Sequence, residues 1–332
     1  MVKARLGSPW RLLGTWSKGD HATEGVMGRW GSAMTLPREI LPGRTYLVTR
    51  RCTQRQFLLT PSGGTNRIIL YCLGVAAQQT GVELHTVCFM SNHWHGVLTD
   101  PQARLPEFLE RFHRLLARAQ NAALGRCENL WSSEKPSVVL LVSDEDVLDK
   151  MAYTIANPTA AGLVRAPSEW PGVISHTLCE RWDVEMPDVF FDPRGNMPRN
   201  VAVRLVRPAI FGGMSDESLA RRLTQTVQDL LDVACDRLER LGQTFVGPSS
   251  ILRQMFTKTP SGAAVRRPFK PRVAARPLGA RIDALRRFAM FVRSYRRAFE
   301  AWRTGQRTVL FPAGTYALRI YARVACAPAC PA

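Results

Sequence analysis

The feature that most restricts the fold is a run of segments between residues 44 and 156 whose apolar spacing alternates between strand and helix periods. Residues 45–52 (TYLVTRRC) are rich in β-branched and aromatic side chains and read as a strand. Residues 66–80, set between the breakers Gly63-Gly64 and Gly81, read as a helix. Residues 82–90 and 93–99 read as two strands joined by the polar pair Ser91-Asn92, a connection of hairpin type. After Pro101, Leu105, Phe108, Leu109, Phe112, Leu115, Leu116 and Ala119 recur at helical spacing, which predicts a second helix over 105–124. Residues 137–142 (SVVLLV) give a fourth strand and 144–156 a third helix. The order β-α-β-β-α-β with a trailing helix is that of a split βαβ, ferredoxin-like sheet, with two helices on one face and the other face left for a site. The expected fold class is therefore α+β: a ferredoxin-like antiparallel sheet with helices on one face, followed by a mainly helical, Arg-rich carboxy-terminal region.

A chain of 332 residues has room for two modest domains with a core in each. Residues 1–42 lack any helical or strand period and are expected to be an extension, with Met34 as an alternative start. Residues 43–176 hold the sheet. Residues 177–265 hold an amphipathic helix over 216–241, and 266–332 a Pro- and Arg-rich strap, a helix over 281–302 and a terminal strand-turn-strand at 308–324. The longest nearly apolar stretch, residues 68–77, falls short of the ~18 residues that cross a bilayer. No secretory apolar block stands at the amino terminus, and the eight cysteines show neither a CxxC pair nor a framework spacing. The expectation is a cytoplasmic, nucleoid-associated protein with reduced thiols and no membrane partner.

Charge narrows the partner. Up to Glu180 there are 19 basic and 15 acidic residues; beyond it there are 26 and 12. Between Lys258 and Arg307 lie 14 basic residues and only two acidic ones, Asp283 and Glu300. Such a segment repels itself unless a polyanion lies against it. Only six of the 45 cations are Lys, and the guanidinium fork of Arg suits phosphate oxygens. Nucleic acid is the expected partner, with Arg266, Arg267, Lys270, Arg272, Arg286, Arg293 and Arg297 as DNA contacts. A high Arg share also follows from genome base composition alone.

Two groups carry chemistry. In the strand at 93–99, His93 and His95 point to one face with Val97, while Trp94 and Leu98 point to the other. Two imidazoles on one face either grip a divalent metal or form a solvated pair. In the helix at 144–156, Val147, Leu148, Met151 and Ile155 make the buried stripe, and Tyr153 falls on the opposite side beside Lys150 and Asn157. Its phenol is either free for chemistry or an ordinary surface tyrosine. Asn157 stands one turn on, although Pro158 biases it away from helical dihedrals.

VELHTVCFMSNHWHGVLTD, with MAYTIANPTAAGLVRAPSEWP some sixty residues later, resembles the single-tyrosine transposases of the HUH nuclease superfamily. The likeness is to the REP-associated tyrosine transposases, relatives of the transposases that move insertion sequences as single strands. The first stretch is similar to that family's Met-Pro-Asn-His-x-His signature and the second to its Tyr-x-x-x-Asn-Pro-x-x-x-Gly-Leu-Val signature. It covers residues 44–170. The resemblance implies that His93 and His95 bind a metal, that Tyr153 is the nucleophile, and that Asn157 completes the metal site. Lys150 and His85 are auxiliary candidates. Ser91 stands where the family has Pro, and SSEKPSVVLLVSDED replaces the family's aromatic and basic residues before the tyrosine helix.

The implied activity is a metal-dependent tyrosine transposase, cutting and rejoining single-stranded or hairpin DNA of REP type through a 5′-phosphotyrosine. A phenol has a reference pKa of about 10, so the step needs help near neutrality. Mixed nitrogen and oxygen ligation suits Mg²⁺ or Mn²⁺, although two His also accept Zn²⁺. Family members act as monomers or homodimers. The competing expectation is a DNA-binding protein that keeps this fold and has lost the cut.

Overall fold

The computed structural model describes residues 37–190, 195, 197–262 and 271–329. Among the described residues seven strands form two sheets. β1 (Arg44–Arg51), β2 (Glu83–Met90), β3 (His93–Asp100) and β4 (Ser137–Leu141) join in the order β2-β3-β1-β4, every pair antiparallel. β5 (Arg181–Glu185) and β6 (Asn200–Arg204) make a separate antiparallel hairpin. The two-residue β7 (Val273–Ala274) pairs parallel with β4, so the larger sheet is mixed at one edge. The register of β1 against β3 sets Thr49 opposite His95 and Arg51 opposite His93.

Helices α1 (Gly63–Thr80) and α2 (Leu105–Ala123) pack together on one face, as the spacing predicts. Ser62 caps α1 by accepting from the Thr65 amide at 3.0 Å, and Gly81, in the left-handed region at φ 70°, ends it. The Asp100 carboxylate receives the Arg104 and Leu105 amides at 2.8 and 2.7 Å, satisfying donors that the start of α2 would otherwise leave bare. Beneath them Trp94 is fully buried, with ring centroids 5.5 Å from Phe89 and 5.2 Å from Phe112. Its indole N–H donates to His113 Nε2 at 3.1 Å. Gly96 lets this ring lie down, because a Cβ there would stand 2.7 Å from the Trp94 ring.

The second face is not left open. α3 (Asp144–Ala160) covers part of it, burying Val147, Leu148, Met151 and Ile155 against Val97 and Leu141, and α4 (Asp216–Arg240) adds Leu219 and Leu223. The cause is the apolar stripe on α3, which has to be withdrawn from water somewhere. α3 opens on a reciprocal cap: the Asp146 amide donates to Ser143 Oγ at 3.2 Å and the Ser143 amide to Asp146 Oδ2 at 3.0 Å. It also runs through Pro158 to Ala160, so Asn157 is helical and keeps its one-turn relation to Tyr153, against the bias expected of a residue before proline.

Two further differences concern the later half. The β5–β6 hairpin packs on α1 through Val184, Val201 and Val203, with Gly74 allowing Val201 to approach; its strands are five residues long and too charged to stand out in the sequence. The expected strand-turn-strand at 308–324 is absent. After a turn at Gly314 (φ 85°) the chain forms the short helix α7 (Ala317–Tyr321), and only one parallel bridge joins Phe311 to Cys326. A two-stranded ribbon alone is marginal. Phe311 and Leu318 are instead buried against Phe291, Val292 and Tyr295 of the long helix α6 (Leu278–Arg303), which follows the short helix α5 (Pro248–Leu252). The stripe predicted on α6 is buried only in its second half; Ile282 and Leu285 are exposed.

The expected amino-terminal extension lies outside the described residues up to position 36, as do Arg266, Arg267 and Lys270 of the basic strap. Among the described residues no helix is long and apolar enough to cross a membrane, and the seven described cysteines are unpaired.

Candidate active site

Strand alternation places His93 and His95 on the face that α3 covers, with Trp94 and Leu98 in the opposite core. The two imidazoles meet edge to face, centroids 4.8 Å apart and planes at 82°. Each ring is oriented through Nδ1. His93 Nδ1 donates to Asn92 Oδ1 at 2.6 Å, and His95 Nδ1 is hydrogen-bonded to Thr49 Oγ1 at 2.9 Å. Nε2 therefore lies on the far side of each ring from its anchor, and for His93 it carries the lone pair. Burial, reinforced by the Arg51 guanidinium, pushes the His93 pKa down to about 4, so this imidazole is neutral near pH 7.

Tyr153 comes from α3, far along the chain. Its ring stands edge-on to His95, centroids 5.4 Å apart and planes at 89°. It is half-buried, between the buried stripe and solvent. Lys150 Nζ lies 5.9 Å from the centre of the Tyr153 ring, a cation over an aromatic face. Asn157, one turn further, is buried, and its carbonyl accepts from the Ala161 amide at 3.0 Å. The ring contacts thus unite His93, His95 and Tyr153, with Lys150 beside them; Asn157 stands one helical turn after Tyr153.

His85 is held elsewhere. It is the extra residue where the β2–β3 register slips, and it is completely buried. Nδ1 faces the Val206 carbonyl at 2.7 Å and Nε2 the Thr99 hydroxyl at 2.8 Å. With both nitrogens committed, it is built into the core and stands apart from the paired imidazoles. Ser91, at the turn before the histidines, is buried; its hydroxyl donates to Gln254 Oε1 at 2.6 Å and its carbonyl accepts from the Leu59 amide at 2.8 Å. These bonds tie the turn to its neighbours.

Of the described arginines expected on DNA, Arg272 lies over the Phe288 ring at 4.9 Å, Arg286 is 3.6 Å from Asp283, and Arg293 and Arg297 are exposed on α6. None of the ring contacts that define the site involves α6. Sequence reasoning missed Thr49, Arg51 and Asn92. Asn92 sits beside the histidine pair and was legible as its neighbour; Thr49 and Arg51 become relevant only through the β1–β3 register. Among the described residues no group of three or more His, Cys, Asp and Glu side chains converges as a metal cluster.

No family model matches this chain, and neither does any curated protein. Among solved structures, it is similar to a REP-associated tyrosine transposase bound to a REP hairpin, at 17% identity and a TM-score of 0.36, over 42% of this chain and 81% of that one. It is also similar to a candidate transposase from Deinococcus radiodurans, at 22% identity and a TM-score of 0.26, over 32% of this chain and 85% of that one. Superpositions this partial carry no argument about activity, which has to rest on the site's own geometry.

Proposed function

We propose that the chain is a transposase-like DNA endonuclease and strand transferase in which Tyr153 attacks a scissile phosphate of single-stranded DNA. The observation that carries this reading is the convergence of Tyr153 with His95 and His93 from an element some sixty residues away. In the proposed step the phenol oxygen bonds to phosphorus and the P–O3′ bond breaks. The leaving 3′ oxygen takes up a proton, the phenol gives one to solvent or a neighbouring base, and a 5′-phosphotyrosine results. A second 3′-hydroxyl reverses the step and joins new ends, so the linkage energy is kept without nucleotide hydrolysis.

The donor set fits a divalent cation. His93 is neutral with its lone pair at Nε2, His95 is anchored at Nδ1 by Thr49, and Asn157 offers an amide oxygen on the tyrosine helix. His93, His95 and Asn157 are the proposed ligands and Mg²⁺ or Mn²⁺ the proposed metal. When bound, such an ion neutralises charge developing on the non-bridging phosphate oxygens. The chain's own groups do the rest: His95 fixes the Tyr153 ring, Arg51 and Lys150 add positive charge beside the site, and α3 keeps one side of it dry. Hairpin DNA is the proposed substrate form, and the exposed arginines of α6 the proposed backbone contacts.

The test incubates the purified full chain with labelled single-stranded hairpin oligonucleotides and Mn²⁺ or Mg²⁺, then looks for a covalent adduct on a denaturing gel. Wild type is expected to give one; Tyr153→Phe and His95→Ala are not. An adduct that survives Tyr153→Phe would displace the nucleophile, and DNA retention without any adduct would favour a silent hairpin-binding protein.

A further inference from the structure

On the other face of the sheet from His95 and Tyr153 lies a cavity of about 600 Å³. Tyr46, Val138 and Leu140 form its floor, since they point toward the α1–α2 layer; α6 and the segment around Arg38 form its walls. That volume falls within the ~300–1,000 Å³ typical of small-molecule sites.

Its lining combines two chemistries. One is cationic: among the described residues Arg38, Arg44, Lys135, Arg272 and Arg287 all line it, against a single carboxylate, Glu39. Glu39 is already committed to Arg44 at 2.6 Å. Arg38, whose guanidinium donates to the Pro136 carbonyl, is half-buried; burial, and then the charge of Arg272, depress its pKa below the ordinary value. Two guanidiniums that repel one another around one hollow are relieved by an anion between them. The other chemistry is aromatic. Phe288, capped on one side by Arg272, together with Tyr295 and Tyr316, supplies ring surface in the same cavity. Arginine and aromatic faces side by side accept a planar base and a phosphate at once.

We infer that this cavity binds one phosphorylated nucleoside, its phosphate among Arg38, Arg272 and Arg287 and its base against the Phe288 and Tyr316 side. Nothing in this assignment requires Tyr153 chemistry, because the hollow and the histidine pair lie on opposite faces of the sheet. The nucleoside phosphate comes either from free nucleotide or from one unstacked unit of a bound strand; the chemistry recognised is the same.

The test titrates the full chain with dAMP, with deoxyadenosine, with inorganic phosphate and with a short 5′-phosphorylated single-stranded oligonucleotide. Saturable dAMP binding, at least tenfold tighter than either deoxyadenosine or phosphate and displaced by the oligonucleotide, is expected. Arg287→Glu, an exposed position, is expected to weaken it at least tenfold with an unchanged melting temperature. Phe288→Leu, which keeps the charge, is expected to erase the preference for dAMP over phosphate. Tyr153→Phe is expected to bind as wild type does, which separates this site from the cleavage reading. Binding of the oligonucleotide but not of dAMP, with the same sensitivity to Arg287→Glu and Phe288→Leu, assigns the source to the strand. Equal affinity for phosphate and dAMP, binding of neither nucleotide nor oligonucleotide, or binding indifferent to both variants overturns the inference.

Discussion

Thr49 on β1 and His95 on β3 face each other across the sheet, and the 2.9 Å hydrogen bond between Thr49 Oγ1 and His95 Nδ1 fixes the imidazole that the Tyr153 ring abuts. The hydroxyl thus acts on the site through His95, setting the direction in which that ring presents Nε2.

Replacing Thr49 by Val keeps the shape of the side chain and removes that hydroxyl. Metal affinity, read by calorimetric titration with Mn²⁺, is expected to fall about 10- to 100-fold, and adduct formation with it. Stability should drop by only about 1 kcal/mol, and Thr49→Ser should restore most of the affinity. Unchanged Mn²⁺ affinity in the Val variant would mean that His95 is oriented by something else.

The two core histidines predict an acid limb of stability. Burial pushes His85 down to about 4 and holds His113 well below the ordinary histidine value of 6.5. Both are neutral in the fold, whereas exposed histidines of the unfolded chain take up protons as pH falls through 6.5. The unfolded state then binds more protons, so stability declines between pH 6.5 and 4 and is flat above that window. The His85 shift alone corresponds to a loss on the order of 3 kcal/mol across it. Urea midpoints at pH 7.5, 5.5 and 4.5 check this, and His85→Gln should make the slope shallower, with His93 and His113 still contributing. A midpoint independent of pH in wild type would contradict the buried, neutral assignment.

The packing of Trp94 over Gly96 sets a steric limit on β3. Gly96→Ala brings a methyl to 2.7 Å from a fully buried indole that cannot swing aside without giving up Phe89, Phe112 and its bond to His113. A destabilisation of about 1–3 kcal/mol is expected, visible as a lower melting temperature. Gly63→Ala, where a Cβ meets nothing within 4 Å, serves as the control.

Reversing Arg293 and Arg297, both exposed on α6, tests whether that helix lies along a phosphate backbone. For every phosphate that is no longer neutralised, the slope of log affinity against log salt should become shallower by about 1. The weakening should be similar for hairpins of different sequence, since arginines on phosphates read no base information. An unaltered salt slope would remove α6 from the DNA interface.

Most of residues 44–160 could be read in advance because their signals are local. Period-2 alternation, a helical stripe from Leu105 to Ala119, and breakers at Gly63 and Gly81 depend on near neighbours, and the α+β class and the order of elements along the chain follow from them. So does the facing of His93 with His95 against Trp94. The later half was less legible. β5 and β6 hold five residues each and are stabilised by contact with α1 rather than by their own pattern. The segment 308–324 has strand-like composition but buries Phe311 and Leu318 on α6, which makes a helical turn the better solution.

What the sequence determined unaided is which side chains are available and which face each one takes along its own element, because helix and strand periods are properties of the backbone. What only the tertiary structure decided is distance between elements. The β1–β3 register alone puts Thr49 and Arg51 beside the histidines, the burial of the α3 stripe brings Tyr153 onto His95, and the slipped register on β2 draws His85 into the core. Such separations arise from packing between segments far apart in the chain, where no short-range pattern records them.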